Sequence, residues 1–126
     1  MKAVFTLGRV VFGGFFLYNA INHITQHRTL SQYAAAKNVP MPDKAVALST
    51  ALLLLGGTGL VSGAAQKLGA ISTIAFLAGV SPMIHDFWNI DDPQQKQAEM
   101  INFSKNVALL GAALALLASE RSHSEA

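Results

Sequence analysis

The feature that most constrains this chain is a run of twenty-two residues without a charged side chain, from Ala45 to Gln66. Two further runs, Val10 to His27 and Leu68 to Ile84, are almost as apolar. Because a helix needs about 20 apolar residues to cross the hydrocarbon of a bilayer, all three can span a membrane. A fourth run, Ile101 to Ala118, qualifies if Lys105 reaches the interface or is paired inside the protein. The sequence therefore predicts an all-α, multi-pass membrane protein.

Composition supports this fold class and excludes several functions. A soluble four-helix bundle would need charged outer faces at helical spacing, yet only 13% of the residues are charged. The absence of cysteine excludes thiol redox chemistry, thiolate zinc sites and cysteine-ligated iron–sulfur clusters. The net charge of +2, without a basic cluster, argues against nucleic acid as a partner. The expected environment is the lipid bilayer.

Turn and cap signals divide the chain into a four-transmembrane-helix bundle with a short interfacial helix between helices 1 and 2. Asn38 is a left-handed stop for the interfacial helix, and Asp92 before Pro93 is a helix N-cap. Pro82 is expected to kink helix 3 and open room beside Ser81 and His85. The predicted helices are about Ala3–Thr25, Thr29–Lys37, Asp43–Gly63, Leu68–Trp88 and Pro93–Ser119. They form one domain, residues 1–119, followed by a polar tail, residues 120–126.

Polar residues gather at one end of the predicted bundle. In helix 1, Asn19, Asn22 and His23 follow helical spacing and form one stripe. Four spans place the two long loops on the same side of the membrane, so polar residues from three helices should meet there. The expected ion pair is Asp86 with Lys105, and Trp88 or Phe87 could cover a bound ring. The candidate ligand-binding residues are Asn19, Asn22, His23, His85, Asp86, Trp88, Lys105 and Asn106.

Three interpretations of this cluster remain open. Ionisable groups inside a membrane need partners, so the cluster could be a purely structural network of interhelical hydrogen bonds. It could instead bind a quinone, which needs hydrogen-bond donors at its carbonyls and a proton source on reduction. A metal or haem site would use His23 and His27, at i and i+4, with His85 or Asp86. Since His27 is expected to face the headgroups, no metal or haem is predicted.

Arg9 lies at the other end of helix 1. It precedes His23 by fourteen residues, which is about 21 Å along a helix. Two interpretations apply: an anchor that reaches the membrane surface, or a cation that binds an anionic lipid or a partner.

Several short segments, in this order, resemble the DoxX family of small four-helix membrane proteins. They are Gly8-Arg9, Asn38-Val39-Pro40-Met41-Pro42, Leu55-Gly56-Gly57-Thr58-Gly59, Phe87-Trp88 and Phe103-Ser104-Lys105-Asn106-Val107-Ala108-Leu109-Leu110-Gly111. The resemblance implies a prokaryotic cytoplasmic (inner) membrane protein with its termini inside, and a link to quinone-reducing oxidoreductases. By itself the distribution of lysine and arginine between the two sides does not decide the orientation.

We therefore expect a small membrane subunit, or accessory protein, of a quinone-linked redox complex with a polar pocket at one membrane face. The expected cofactor is a quinone, and the expected partners are other membrane redox subunits. The alternative is a structural or assembly subunit without a ligand. The sequence does not decide whether the chain is an enzyme. It also leaves open whether the glycines of helix 2 are used for homo-oligomer assembly.

Overall fold

The computed structural model describes the backbone of residues 1–125 and the side chains of residues 1–119. It contains five α-helices and one short 3₁₀ turn. They are α1 (Lys2–Thr25), α2 (His27–Ala36), α3 (Pro42–Ser62), α4 (Gln66–Ile84), the 3₁₀ turn (Phe87–Asn89) and α5 (Pro93–Glu125). Over the described part of the chain the protein is all-helical, as predicted.

Four segments are long and apolar enough to cross a membrane, which confirms the predicted number of spans. They are Lys2–Thr25, Pro42–Ser62, Gln66–Asn89 and Pro93–Ser119. The outer faces of α1 and α5 carry large exposed apolar side chains, including Val11, Ile21 and Val107. Such faces are stable only when something apolar covers them, and the bilayer does so.

Most predicted boundaries agree with the structure. Asn38 has a φ of 62°, and the N–H of Val39 donates to the carbonyl of Ala34 at 3.0 Å, so α2 ends in a Schellman motif. The N-cap at the start of α5 is also confirmed, because the N–H of Gln95 donates to Oδ2 of Asp92 at 3.0 Å.

Two boundaries were wrong. Helix α4 ends at Ile84, four residues before the predicted Trp88, and the chain continues into the 3₁₀ turn Phe87–Asn89. Helix α5 extends to Glu125, beyond the predicted end at Ser119. The polar tail predicted for residues 120–126 lies outside the part of the chain whose side chains are described.

The core lies where the four long helices meet. Phe16 and Ala20 of α1 pack with Leu53 of α3 and Leu77 of α4, and all four are fully or almost fully buried. Leu109 and Leu110 of α5 pack against this cluster. Helix α3 packs between α1 and α4, and α5 packs on the other side of α4. The two central helices therefore carry most of the interhelical contact.

Glycines bring α3 close to both of its neighbours. A Cβ added to Gly13 of α1 would lie 2.8 Å from Cβ of Leu60 and 2.9 Å from the backbone nitrogen of Val61. On the other side of α3, a Cβ on Gly69 of α4 would lie 3.0 Å from the carbonyl oxygen of Gly56. The contact at Gly13 is closer than real Cβ atoms come, and the contact at Gly69 is tighter than most of them, so glycine favours the short interhelical distance here.

Adjacent glycines in α1 offer a matched test. Gly13→Ala should lower the free energy of unfolding by about 1–3 kcal/mol, as overpacking of a close contact does. Gly14→Ala should be neutral or stabilising by up to about 1 kcal/mol, since nothing lies within 4 Å of its added Cβ. Thermal unfolding of the two variants in one detergent, followed by circular dichroism, measures the difference. Equal melting temperatures would contradict the close α1–α3 contact.

Candidate functional site

A cavity of about 450 Å³ lies in the half of the bundle away from the glycine contacts. Its walls come from α1 after Gly14, from the N-terminal half of α3, from the C-terminal half of α4 and from α5. Leu30, Tyr33 and Ala34 of α2, together with Val39, line it as well. Helix α2 thus covers this end of the bundle, and most of the cavity wall is apolar.

Six of the eight predicted ligand-binding residues line this cavity. They are Asn19, Asn22, His23, His85, Lys105 and Asn106. Asp86 and Trp88 are not among the lining residues. The structure therefore brings together polar side chains from α1, from the end of α4 and from α5, as the loop arrangement predicts.

The polar side chains of α1 bond to their own helix. Nδ2 of Asn19 donates to the carbonyl of Phe15 at 2.8 Å, and Nδ1 of His23 donates to the carbonyl of Asn19 at 2.9 Å. Since a carbonyl only accepts, neutral His23 carries its proton on Nδ1 and keeps a lone pair on Nε2. The edge of the His23 ring also packs against Phe76 of α4, with ring centroids 6.0 Å apart. The ring of His23 is thus oriented by two contacts, and its Nε2 remains available as a hydrogen-bond acceptor.

Asn106 and Lys105 of α5 contribute unused donors. Asn106 is only 8% exposed, yet in the described part of the chain its side chain makes no hydrogen bond. Its amide atoms are not among the fully shielded ones, so they can be reached from the cavity that Asn106 lines. Lys105 is exposed and forms no ion pair with any described residue. A polar ligand in the cavity would give both groups an acceptor.

His85 connects the cavity to α5. It follows the last residue of α4, and its Nδ1 lies 2.5 Å from Oε2 of Glu99. Both side chains are mostly shielded from solvent, with 21% and 16% of their surface exposed. A carboxylate on Nδ1 orients the ring and favours a proton there, which leaves Nε2 for other contacts.

The predicted ion pair between Asp86 and Lys105 is wrong. Asp86 accepts a hydrogen bond from Lys37, with 2.7 Å between Nζ and Oδ1, and a second one from Asn89 at 3.1 Å. Because α4 ends at Ile84, Asp86 lies beyond the helix, and its carboxylate meets the end of α2 instead of α5. This contact is called the α2 latch below.

The latch involves a charged pair that survives over a wide pH range. The hydrogen bond to Asp86 raises the pKa of Lys37 above its ordinary value of 10.5. On the alkaline side, the stabilisation by the pair is therefore lost only as the pH rises through the raised pKa of Lys37. On the acid side, the stabilisation is lost as the carboxylate of Asp86 takes up a proton and the pair loses its negative charge. The latch is therefore closed at neutral pH.

Trp88 does not cover the cavity. Its ring packs edge-on against Phe87 and Phe103, with centroid distances of 5.2 and 5.8 Å. Half of its surface is exposed. This aromatic cluster includes the 3₁₀ turn that follows α4, a position at the end of a span where aromatic rings commonly lie.

Metal ligation by this cluster finds no geometric support in the described residues. Among them, no three histidine, aspartate or glutamate side chains are close enough to hold a metal ion.

Sequence reasoning missed two partners at this end of the bundle. Glu99 shares a stripe of α5 with Asn102 and Asn106, at i, i+3 and i+7, so its spacing could have indicated it. No comparable signal exists for Lys37, because its pairing with Asp86 depends on how α2 folds over the other helices.

The α2 latch can be tested by proteolysis. Asp86→Asn keeps every tryptic site but removes the charge that holds Lys37, which should weaken the contact by about 1 kcal/mol. Local opening of α2 should then rise about fivefold, and trypsin should cleave after Arg28 correspondingly faster. Asp91→Asn, an exposed carboxylate in the next loop, is the matched control. Equal cleavage rates in both variants would show that the ion pair does not hold α2.

Comparison with known proteins agrees with this architecture. The DoxX family model matches residues 4–86, which is more than half of the chain and covers α1 to the end of α4. The Phe103–Gly111 segment of α5 lies outside that match. No curated protein and no solved structure matches the chain significantly. With four membrane-spanning helices and this family match, the chain belongs to the DoxX family.

Proposed function

We propose that the cavity binds the head group of a quinone, and that the protein serves as a small membrane subunit or accessory protein of a quinone-linked redox complex. The observation that carries the proposal is Asn106, a largely buried residue on the wall of an apolar cavity whose side-chain amide bonds to no described residue. The setting would be a prokaryotic cytoplasmic membrane, in keeping with the family resemblance.

The size and polarity of the cavity suit a substituted ring. Ligand pockets are typically about 300–1,000 Å³, mostly apolar, with a few polar groups that fix orientation. This cavity has a volume of about 450 Å³ and is lined by Phe15, Leu52 and Phe76 among its apolar residues. An aromatic head group would bury its faces against such walls.

The polar groups supply what a quinone requires. Asn106 and Lys105 can donate hydrogen bonds to carbonyl oxygens, whereas Nε2 of His23 can accept one from a hydroquinone hydroxyl. Reduction of a quinone to a hydroquinone takes up two electrons and two protons. In this proposal a redox cofactor on a partner subunit provides the electrons, and His85 with Glu99 lies where a proton could be passed.

A route for the hydrocarbon tail supports a lipid-soluble ligand. Helices α1 and α5 both line the cavity. Within the described residues they form no backbone contact comparable to those of α1 with α3 or α5 with α4. The seam between α1 and α5 therefore faces the lipid beside the polar groups, and a tail could leave through it.

The alternative is a subunit whose polar cluster only fixes helix packing. Such a network requires hydrogen bonds between helices. Instead Asn19 and His23 bond to the backbone of α1, and Asn106 bonds to no described residue. The interhelical pairs Lys37–Asp86 and His85–Glu99 would fit a packing role, but they include only one of the six predicted ligand-binding residues that line the cavity.

Asn106 gives the sharpest test of a ligand. Replacement by Leu keeps the approximate volume but removes the donor, so quinone affinity should fall about 5- to 100-fold. Asn102→Leu is the matched control, one turn away on α5 and outside the cavity wall. Quinone retained after mild purification is extracted and quantified by ultraviolet absorbance. Wild-type protein without quinone, or equal retention in both variants, would favour the packing subunit.

His85 tests the histidine side of the pocket. His85→Ala should reduce quinone retention at least about tenfold, because an oriented donor or acceptor is lost. His27→Ala, on α2 and outside the cavity wall, should not. Circular dichroism and size-exclusion chromatography confirm that both variants are folded. Unchanged retention in His85→Ala would remove His85 from the site while leaving the Asn106 result to decide whether a ligand binds.

A further inference from the structure

Arg9 is a partly buried cation that does not line the cavity. Its Nε is fully buried and has no hydrogen-bond partner in the described part of the chain, and the side chain takes part in neither ion pair there. Guanidinium groups stay charged in proteins, and buried polar groups normally have partners. The two terminal nitrogens of Arg9 are not among the shielded atoms, so they can bond an acceptor from outside the described part of the chain.

The guanidinium group of Arg9 lies against the backbone of Gly63. A Cβ placed on Gly63 would lie 2.8 Å from Cζ and from both terminal nitrogens of Arg9, so the guanidinium rests directly on this glycine. Gly63 has a φ of 74° and ends α3, so only glycine combines this backbone with room for the cation. The negative end of the α3 dipole lies at the same point and favours a positive charge.

The position of this guanidinium group along the helices indicates a membrane surface. The Cα of Arg9 is seven residues from the start of α1, about 10 Å along the helix. Helical side chains point toward the N-terminus, and the contact with Gly63 places the charge at the turn between α3 and α4. That turn follows a full membrane span, so the guanidinium is at the level where lipid phosphates begin.

Charge distribution leaves this end of the molecule without described counter-ions. The five acidic residues with described side chains all lie in or beside the loops at the other end: Asp43, Asp86, Asp91, Asp92 and Glu99. Lys2, Arg9 and Lys67 lie at the Arg9 end. Glu120 and Glu125 belong to the residues whose side chains are not described.

We propose that Arg9, seated on Gly63, binds the phosphate of an anionic phospholipid in the leaflet opposite the cavity. The planar guanidinium presents N–H groups that match two phosphate oxygens, which is why arginine is favoured for such contacts. The site is separate from the cavity and does not depend on what the cavity binds.

Native mass spectrometry of the full chain with dioctanoyl phosphatidylglycerol tests the site. Wild-type protein should hold one lipid tightly, Arg9→Gln should bind it about tenfold more weakly, and Arg9→Lys should be intermediate because it keeps the charge without the planar fork. Lys67→Gln, an exposed cation at the same end, should bind as wild type does. Equal binding by wild type and Arg9→Gln would overturn the proposal. Arg9→Lys preserves the test if the glutamine variant fails to fold.

Three further experiments distinguish a lipid phosphate from other groups that could bind at Arg9. Dioctanoylglycerol, which lacks the phosphate, should not compete, and competition by it would show that acyl chains alone bind. Inorganic phosphate that binds as tightly as the lipid would overturn the assignment to a headgroup. If wild type binds no lipid but Glu120→Gln does, Glu120 is the counter-ion of Arg9 and the proposal fails. Quinone retention by Arg9→Gln should equal that of wild type, so this result and the cavity result can be told apart.

Discussion

The arrangement of the helices depends on close glycine contacts along one half of α3. A methyl group on Gly13 of α1 would overlap α3, and one on Gly69 of α4 would lie only 3.0 Å from the carbonyl oxygen of Gly56. In the other half, the same helices present larger residues such as Phe15, Leu52 and Phe76. Helices that are pinned together at one end and separated by bulky residues at the other leave space between them. The cavity is a consequence of this difference in side-chain size.

The absence of water from the bilayer interior constrains how the polar side chains at the cavity form hydrogen bonds. Asn19 and His23 each donate one hydrogen bond to a backbone carbonyl of their own helix. These bonds therefore do not depend on how the helices pack against one another. The two side-chain pairs, Lys37 with Asp86 and His85 with Glu99, join separate elements at the rim. Asn106 remains without a partner among the described residues. An amide that lines the cavity in this way can bond to water or to a ligand there, and the proposed ligand rests on this observation.

The two ends of the molecule offer different chemistry. The cavity end has mixed charge, neutral donors and acceptors, and a covering helix held by an ion pair. At the other end, Arg9 lies on the backbone of Gly63 with no described acid beside it. An uncharged ring suits the first environment, and a phosphate suits the second. The protein can therefore interact with both membrane surfaces in distinct ways.

The sequence alone determined the four spans, the interfacial helix, the left-handed stop at Asn38 and the cap at Asp92, because these depend on local composition and on residues close in the chain. It also predicted that Asn19, His23, His85 and Asn106 would gather at one end, since helix direction alternates with each span. Only the tertiary structure decided the pairings. Asp86 bonds Lys37 instead of Lys105, because α4 ends early and α2 folds over the bundle. Such contacts depend on where a helix stops and how its neighbour crosses it, and a distance of forty-nine residues along the chain carries no signal of that.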